Sequence, residues 1–356
     1  MKRSFALALV ALFGLPLACG SAAQQTTPPE TKPATSAEPA ATILATPTET
    51  PAAPAKEPTA EEKKKAEAAK ELAADRAKWE TEAKAEDARF TADLHTAAKK
   101  LAETKYASLD AALKAVLASK HRKPGNPERD KDRHPVDTLK FYGLTPKMTV
   151  LEYGPGEGWY TEVLAPTLAT QGKLLVTTTD PNGPAELRST FYGERLKRFL
   201  DRAPEAYGKV ERIVIDGKNP KFNLEGKVDM VMVMRAMHNL HRDKILPAFL
   251  AEAFKALKPG GIMGVEQHRA KPEANPDESA KNGYLPEAFV ITQAEAAGFK
   301  LEAKSEINAN PKDTKDHPEG VWTLPPSYEL GDKDRAKYTA IGESDRMTLK
   351  FIKPKK

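Results

Sequence analysis

The chain has 356 residues, a formal net charge of +5 and one cysteine, so no disulfide within it can add to its stability. Its basic residues are interleaved with acids nearly everywhere. Only Lys63-Lys64-Lys65 and Lys353-Pro354-Lys355-Lys356 form local runs; neither has the interleaved aromatics of a nucleic-acid groove, which argues against a nucleic-acid partner.

In chain order, Met1-Lys2-Arg3 precedes an apolar stretch from Phe5 to Ala18, interrupted by Gly14 and Pro16 and closed by Ala18-Cys19-Gly20. This reads as an export signal, too short and interrupted for a membrane span. Leu17-Ala18-Cys19-Gly20 resembles a bacterial lipoprotein signal, with Pro16 where such signals usually carry Leu. The expectation is a signal over 1–19 with lipidation of Cys19, placing the protein on the periplasmic or cell-surface side of a bacterial membrane. An ordinary cleaved signal or an unprocessed terminus is the alternative. Residues 20–60, rich in Ala, Pro and Thr, cannot bury enough to fold and read as a disordered tether. From Thr59 to Leu101 strong helix formers dominate. Leu72, Trp79, Ala83, Phe90, Leu94 and Leu101 follow an 11-residue repeat, which keeps an apolar stripe on one face. A further helix is expected from Leu109 to Leu117. Residues 61–121 thus read as a helical stalk whose stripe packs on the following domain or, through residues 61–104, meets a helix partner.

Residues 122–356 carry the alternating pattern of an α/β domain. Thr149-Val150-Leu151 is a strand running into Glu152 and then Gly154, Gly156 and Gly158, a turn in which missing Cβ atoms let backbone N–H groups approach a ligand. Lys173–Thr179 is a second strand ending in Asp180, 22 residues after Gly158, where a carboxylate commonly grips ribose hydroxyls. Val210–Asp216 and Val228–Met234 are third and fourth strands, continuous apolar runs that suggest helices on both faces. A helix from Phe249 to Leu257 stops at Lys258-Pro259-Gly260-Gly261, and Ile262–Val265 resumes as a strand. The fold class expected is a doubly wound, mostly parallel Rossmann-like sheet.

With the Leu-Lys-Pro-Gly-Gly turn and the two strand-end acids, this loop resembles the class I S-adenosylmethionine-dependent methyltransferases over about residues 125–353. Nicotinamide-binding domains usually put two residues between their second and third glycines; here one residue separates Gly156 from Gly158. Arg129–Pro135, Gly158–Glu162, Glu306–Pro311, Asp316–Trp322 and Gly342–Met347 further resemble a group of bacterial methyltransferases that often carry an export signal. The resemblance implies S-adenosylmethionine as cofactor: Gly154, Gly156 and Gly158 around its methionine part, Glu152 towards its amino end, Asp180 on the ribose and Asp216 on the adenine.

Ligands of such sheets lie beyond the carboxyl ends of the strands, so the residues after the fourth strand are acceptor-side candidates. His238 is the leading candidate for general base and Asn239 the second; His268, and His134 with Arg133, are further candidates. His238 and His241 have no third ligand at suitable spacing, so no metal is expected. Trp159 and Tyr160 are expected to wall the cofactor pocket. Methyl transfer from a sulfonium needs little beyond alignment, so the absence of an obvious acid–base pair does not count against an enzyme. The expected acceptor is a small molecule. Two rival readings remain at this point, a catalytically silent binding module of the same fold and a structural role centred on the stalk.

Overall fold

The computed structural model describes residues 59–355; the expected signal, Cys19 and nearly all of the expected tether lie outside them. Helix α1 spans Ala60–Arg89, opened by a capping box in which Thr59 and Glu62 satisfy each other's backbone N–H. The single long helix expected to Leu101 is instead broken: Phe90 leaves helical geometry, and the Thr91 side chain caps a separate α2, Ala92–Glu103. Helix α3 is Leu109–Leu117, as expected. The short α4 (Asp130–Arg133) and α5 (Pro135–Tyr142) meet at His134, which takes a left-handed conformation.

Among the described residues seven strands form one sheet: β1 Thr149–Tyr153, β2 Lys173–Thr178, β3 Glu211–Val214, β4 Val228–Met234, β5 Leu257–His268, β6 Lys300–Ser305 and β7 Arg346–Ile352. Their order is β3-β2-β1-β4-β5-β7-β6, parallel except where β7 runs antiparallel to β5 and β6. The order reverses between β1 and β4, the crevice where such sheets hold ligands.

Between the strands run α6 (Thr161–Leu168), α7 (Arg188–Arg202), α8 (Pro204–Tyr207), α9 (Met237–Arg242), α10 (Leu246–Ala256), α11 (Pro276–Lys281), α12 (Glu287–Ala296) and α13 (Arg335–Ile341). One face of the sheet packs Val150, Val176, Met230 and Met232 against Val163, Leu164 and Leu196, and this layer continues into Ala98, Leu113 and Val116. The other packs Leu151, Val231, Val233 and Met263 against Phe249, Leu250 and Val290. Helices α2 and α3 therefore complete one wall of the domain, α2 on α6 and α8 and α3 on α6. Helix α1 lies on α7 through an edge contact of Trp79 with Phe191 and through Arg198 and Arg202, which bind Asp87.

The third strand departs from expectation. It is a four-residue edge strand paired with β2 alone, and Val214 is 56% exposed, so its apolar run does not report cover on both faces. Likewise β5 begins at Leu257, directly after α10, rather than beyond the Pro-Gly-Gly turn.

Candidate functional site

The loop after β1 is built as its glycines require. Gly154, Gly156 and Gly158 have φ of +60°, +61° and +83°, a region that costs side-chain-bearing residues strain. Their surroundings differ. A Cβ on Gly154 or Gly156 would meet nothing within 4 Å, whereas one on Gly158 would stand 2.7 Å from the Phe199 ring. The first two border open space above the strand end; Gly158 is small because α7 packs on it. The Gly154 N–H donates to Thr177 Oγ1 at 2.8 Å, tying the loop to β2. Glu157, between the later glycines, pairs with Lys123 and Arg195.

Glu152 is buried at the end of β1 and accepts from Thr161 Oγ1 at 2.7 Å. Burial pushes its carboxyl up to about 7, against that hydrogen bond and the charge of Arg235, which both lower it. Such a group is poised to change protonation when a cation arrives beside it. Asp180 and Asp216 both lie beyond the ends of β2 and β3 and are exposed. Each caps its own turn, Asp180 accepting from the Asn182 N–H and Asp216 from the Lys218 N–H. Both carboxylates thus stand in exposed turns on the side of the sheet where β2 and β3 end.

On the far side of the switch point, Arg235 follows β4 at φ +58°, its N–H donating to the Glu266 carbonyl of β5 at 2.6 Å. A non-glycine residue held there stores strain of about 1–3 kcal/mol and commonly marks a functional position. His238 and Asn239 follow on α9. The His238 side chain is 4% exposed, its Nδ1 lies 3.3 Å from Gln267 Oε1, and its ring centre is 5.6 Å from that of His268 and 6.0 Å from that of Trp322. Burial pulls its pKa down to about 4. The imidazole is thereby held in its neutral, proton-accepting form at the cost of basicity, with the Trp322 ring packed beside it. Its imidazole resonances should not titrate between pH 5 and 8 in an NMR pH series, and an inflection near pH 6.5 would show that the ring is open to solvent. Asn239 lies partly buried in the same helix. His268 faces Ser344, and burial, with the neighbouring His238 and arginines, holds it neutral as well. His134 Nδ1 lies 3.2 Å from Asn308 Oδ1.

Trp159 and Tyr160 are buried in the core layer beside the loop. The Trp159 ring lies under the Arg133 guanidinium at 4.7 Å, and Tyr160 donates to Glu266 Oε2 at 3.2 Å. Glu266 itself was not among the residues singled out in the sequence. Its position opposite Met234 in the β4–β5 register is what brings it to the crevice. Among the described residues no group of three or more His, Cys, Asp or Glu could hold a metal ion, and no helix is long and apolar enough to cross a membrane.

The family model described as a methyltransferase domain matches residues 120–303, just over half of the chain. The protein belongs to that family, and the sheet order with its single antiparallel strand is the Rossmann-like fold of the class I methyltransferases. No curated protein matches the chain. Among solved structures, a SAM-dependent methyltransferase from Aquifex aeolicus is 19% identical, with the match covering 64% of this chain and 93% of that one at a TM-score of 0.41. The 1,6-didemethyltoxoflavin-N1-methyltransferase of Burkholderia thailandensis, solved with 1,6-didemethyltoxoflavin and S-adenosylhomocysteine, is 14% identical over 64% of this chain and 79% of that one, at a TM-score of 0.40.

Proposed function

We propose that the protein transfers the methyl group of S-adenosylmethionine to a small-molecule acceptor, as an exported enzyme held by lipid at Cys19 on the periplasmic or cell-surface side of a bacterial membrane. The observation that carries the enzymatic reading is the open cradle over Gly154 and Gly156, flanked by buried Glu152 on one side and the β4 end on the other. These residues suit the cofactor. Backbone at positive φ leaves room for the methionine part, Glu152 offers a carboxylate to its ammonium, and Asp180 and Asp216 stand where ribose and adenine would be held. When bound, the cofactor supplies an electrophilic methyl group on a sulfonium. What the chain then contributes is alignment and exclusion of water, worth roughly 7–11 kcal/mol in favourable cases. The burial of His238 behind Trp322 supports a positioning role for α9 rather than proton transfer.

Calorimetry of the full chain with S-adenosylmethionine tests this reading. The full chain is the right material, because α2 and α3 bury Ala98, Leu113 and Val116 against the domain. If Glu152 meets the cofactor's ammonium, binding releases a proton from a group that titrates at about 7. Affinity should then rise as pH goes from 6 to 8, and Glu152→Gln should flatten that dependence. No binding at any pH would overturn the assignment. Tight binding with no release of S-adenosylhomocysteine in an envelope extract would point to a silent binding module.

The anchor rests on the lone cysteine at the signal junction, and an exported enzyme of this kind needs a cofactor supply outside the cytoplasm. Cys19→Ser should move the protein from the detergent-extracted membrane fraction to a soluble or unprocessed form; a wild-type protein already wholly soluble would rule lipidation out. The packing of α1 and α2 on the domain favours a covering role for residues 61–104 over a helix-partner site.

A further inference from the structure

Four arginines converge beside the crevice on two carboxylates. Arg129 and Arg133, from the segment leading into α5, reach Glu343 through their Nε atoms at 2.7 and 3.2 Å, and Arg346 reaches it through Nη1 at 2.7 Å. Arg235 binds Glu266 through Nη1 at 2.9 Å, and Arg346 Nε stands 3.4 Å from the same carboxylate. The group is largely buried: the side chains of Arg133, Arg346, Glu343 and Glu266 are between 0% and 6% exposed, those of Arg129 and Arg235 22% and 18%. In direct ion pairs four guanidinium groups thus share two carboxylates, with Glu152 within reach of the charge of Arg235 and Glu157 within reach of that of Arg129, in a place where water screens poorly. Among the described residues, Arg129 and Arg133 make no hydrogen bond through either Nη, and Arg235 none through Nε or Nη2. A guanidinium has five donors in a fork suited to carboxylate or phosphate. Purely structural pairing would be expected to balance charge; in its direct ion pairs this cluster does not. The like charges are felt, since burial and then Arg235 pull the Arg133 guanidinium down to about 9.

Place and charge together suit an anion. Arg235 ends β4, the acceptor side of the crevice, while the glycine cradle lies over β1. S-adenosylmethionine carries one carboxylate, one ammonium and one sulfonium, so it adds a net positive charge rather than cancelling one. We propose that Arg129, Arg133 and Arg235 form an anion-binding subsite for the acceptor, which therefore carries a carboxylate or phosphate group that these arginines hold while its nucleophile faces the cofactor. The inference rests on the methyltransferase reading above. Glu343 and Arg346, which arrange the cluster, lie beyond residue 303, where the match to the methyltransferase-domain model ends.

The test uses the full chain saturated with S-adenosylhomocysteine and titrated with inorganic phosphate or acetate, with sodium chloride matched for ionic strength, read by thermal shift and calorimetry. Phosphate or acetate should bind saturably alongside S-adenosylhomocysteine. Arg129→Gln and Arg133→Gln should each weaken that binding roughly tenfold or more and leave S-adenosylhomocysteine affinity unchanged. Arg129 is the more exposed and keeps the test open should the Arg133 variant fold poorly. Competition between phosphate and S-adenosylhomocysteine would assign the cluster to the cofactor's own carboxylate and overturn the proposal. So would an anion effect no greater than that of chloride. Failure of the wild-type chain to bind S-adenosylhomocysteine at all would instead strike the underlying methyltransferase reading.

Discussion

Gly156→Val should abolish S-adenosylmethionine binding, with a loss of at least about a hundredfold, while the protein stays folded. The residue sits at φ +61° with open space where a Cβ would point, so a branched side chain projects into the volume the cofactor needs and meets nothing of the protein. Its cost to the fold is the strain of a β-branched residue in the left-handed region, about 1–3 kcal/mol. That is a shift of several degrees in melting temperature for a domain of this size. Gly158→Ala provides the contrast. There the new Cβ would meet the Phe199 ring at 2.7 Å, so α7 must shift; stability should fall and affinity change only as a consequence. Calorimetry and thermal denaturation on both variants separate a cradle glycine from a packing glycine. Unchanged affinity in Gly156→Val would remove this loop from the cofactor site.

The same pair shows what could be read from the residues alone. Alternate glycines after an apolar strand announce a tight, ligand-facing turn, but spacing cannot say which glycine faces the ligand and which a helix, because Phe199 lies 41 positions further on. The central strands were legible for a simple reason: β1, β2 and β4 are buried on both faces and so are written as mostly apolar runs rather than alternating ones. The edge strand β3 has a similar run and is exposed, since adjacency in the sheet, not composition, decides cover. Strands β6 and β7 were not anticipated, although Met347, Leu349 and Phe351 alternate as an antiparallel strand should; the short β6, reading Lys-Leu-Glu-Ala-Lys-Ser, offers only a weak signal. Arg129, Arg133, Glu343 and Arg346 all lie in strings that carried the family resemblance, yet nothing in the sequence joined residues more than 200 positions apart into one cluster. His238 drew attention by its position after β4, and its burial behind Trp322 depends on a segment some 80 residues later.

Glu343→Gln should be the most destabilising single change in this region. The carboxylate is 5% exposed and accepts from Arg129, Arg133 and Arg346, joining the segment before α5 to the one before β7. Glutamine keeps the shape and one acceptor oxygen but removes the charge, leaving three guanidinium groups to repel one another in a poorly screened site. Breaking a buried pair in this way costs about 3–5 kcal/mol, a large part of the roughly 5–15 kcal/mol that holds a typical domain together. Acid should reproduce the effect. Burial raises the Glu343 carboxyl, but Arg133, Arg346, Arg129 and Arg235 more than reverse this and hold it well below the usual carboxylate range. The stability it contributes is therefore present above its unfolded value of about 4.5 and is lost as pH falls towards its depressed folded value. His121 and His238, both pulled down to about 4 chiefly by burial, act in a different window: their neutral burial becomes progressively costly between pH 6.5 and 4. Urea denaturation across pH should show wild-type stability declining in both windows. Glu343→Gln should start lower, keep the decline between 6.5 and 4, and lose the component below 4.5. Adding Arg133→Met to that variant should restore part of the loss, because it removes one of the charges left uncompensated; a double variant no more stable than Glu343→Gln alone would mean that like-charge repulsion is not what the carboxylate relieves.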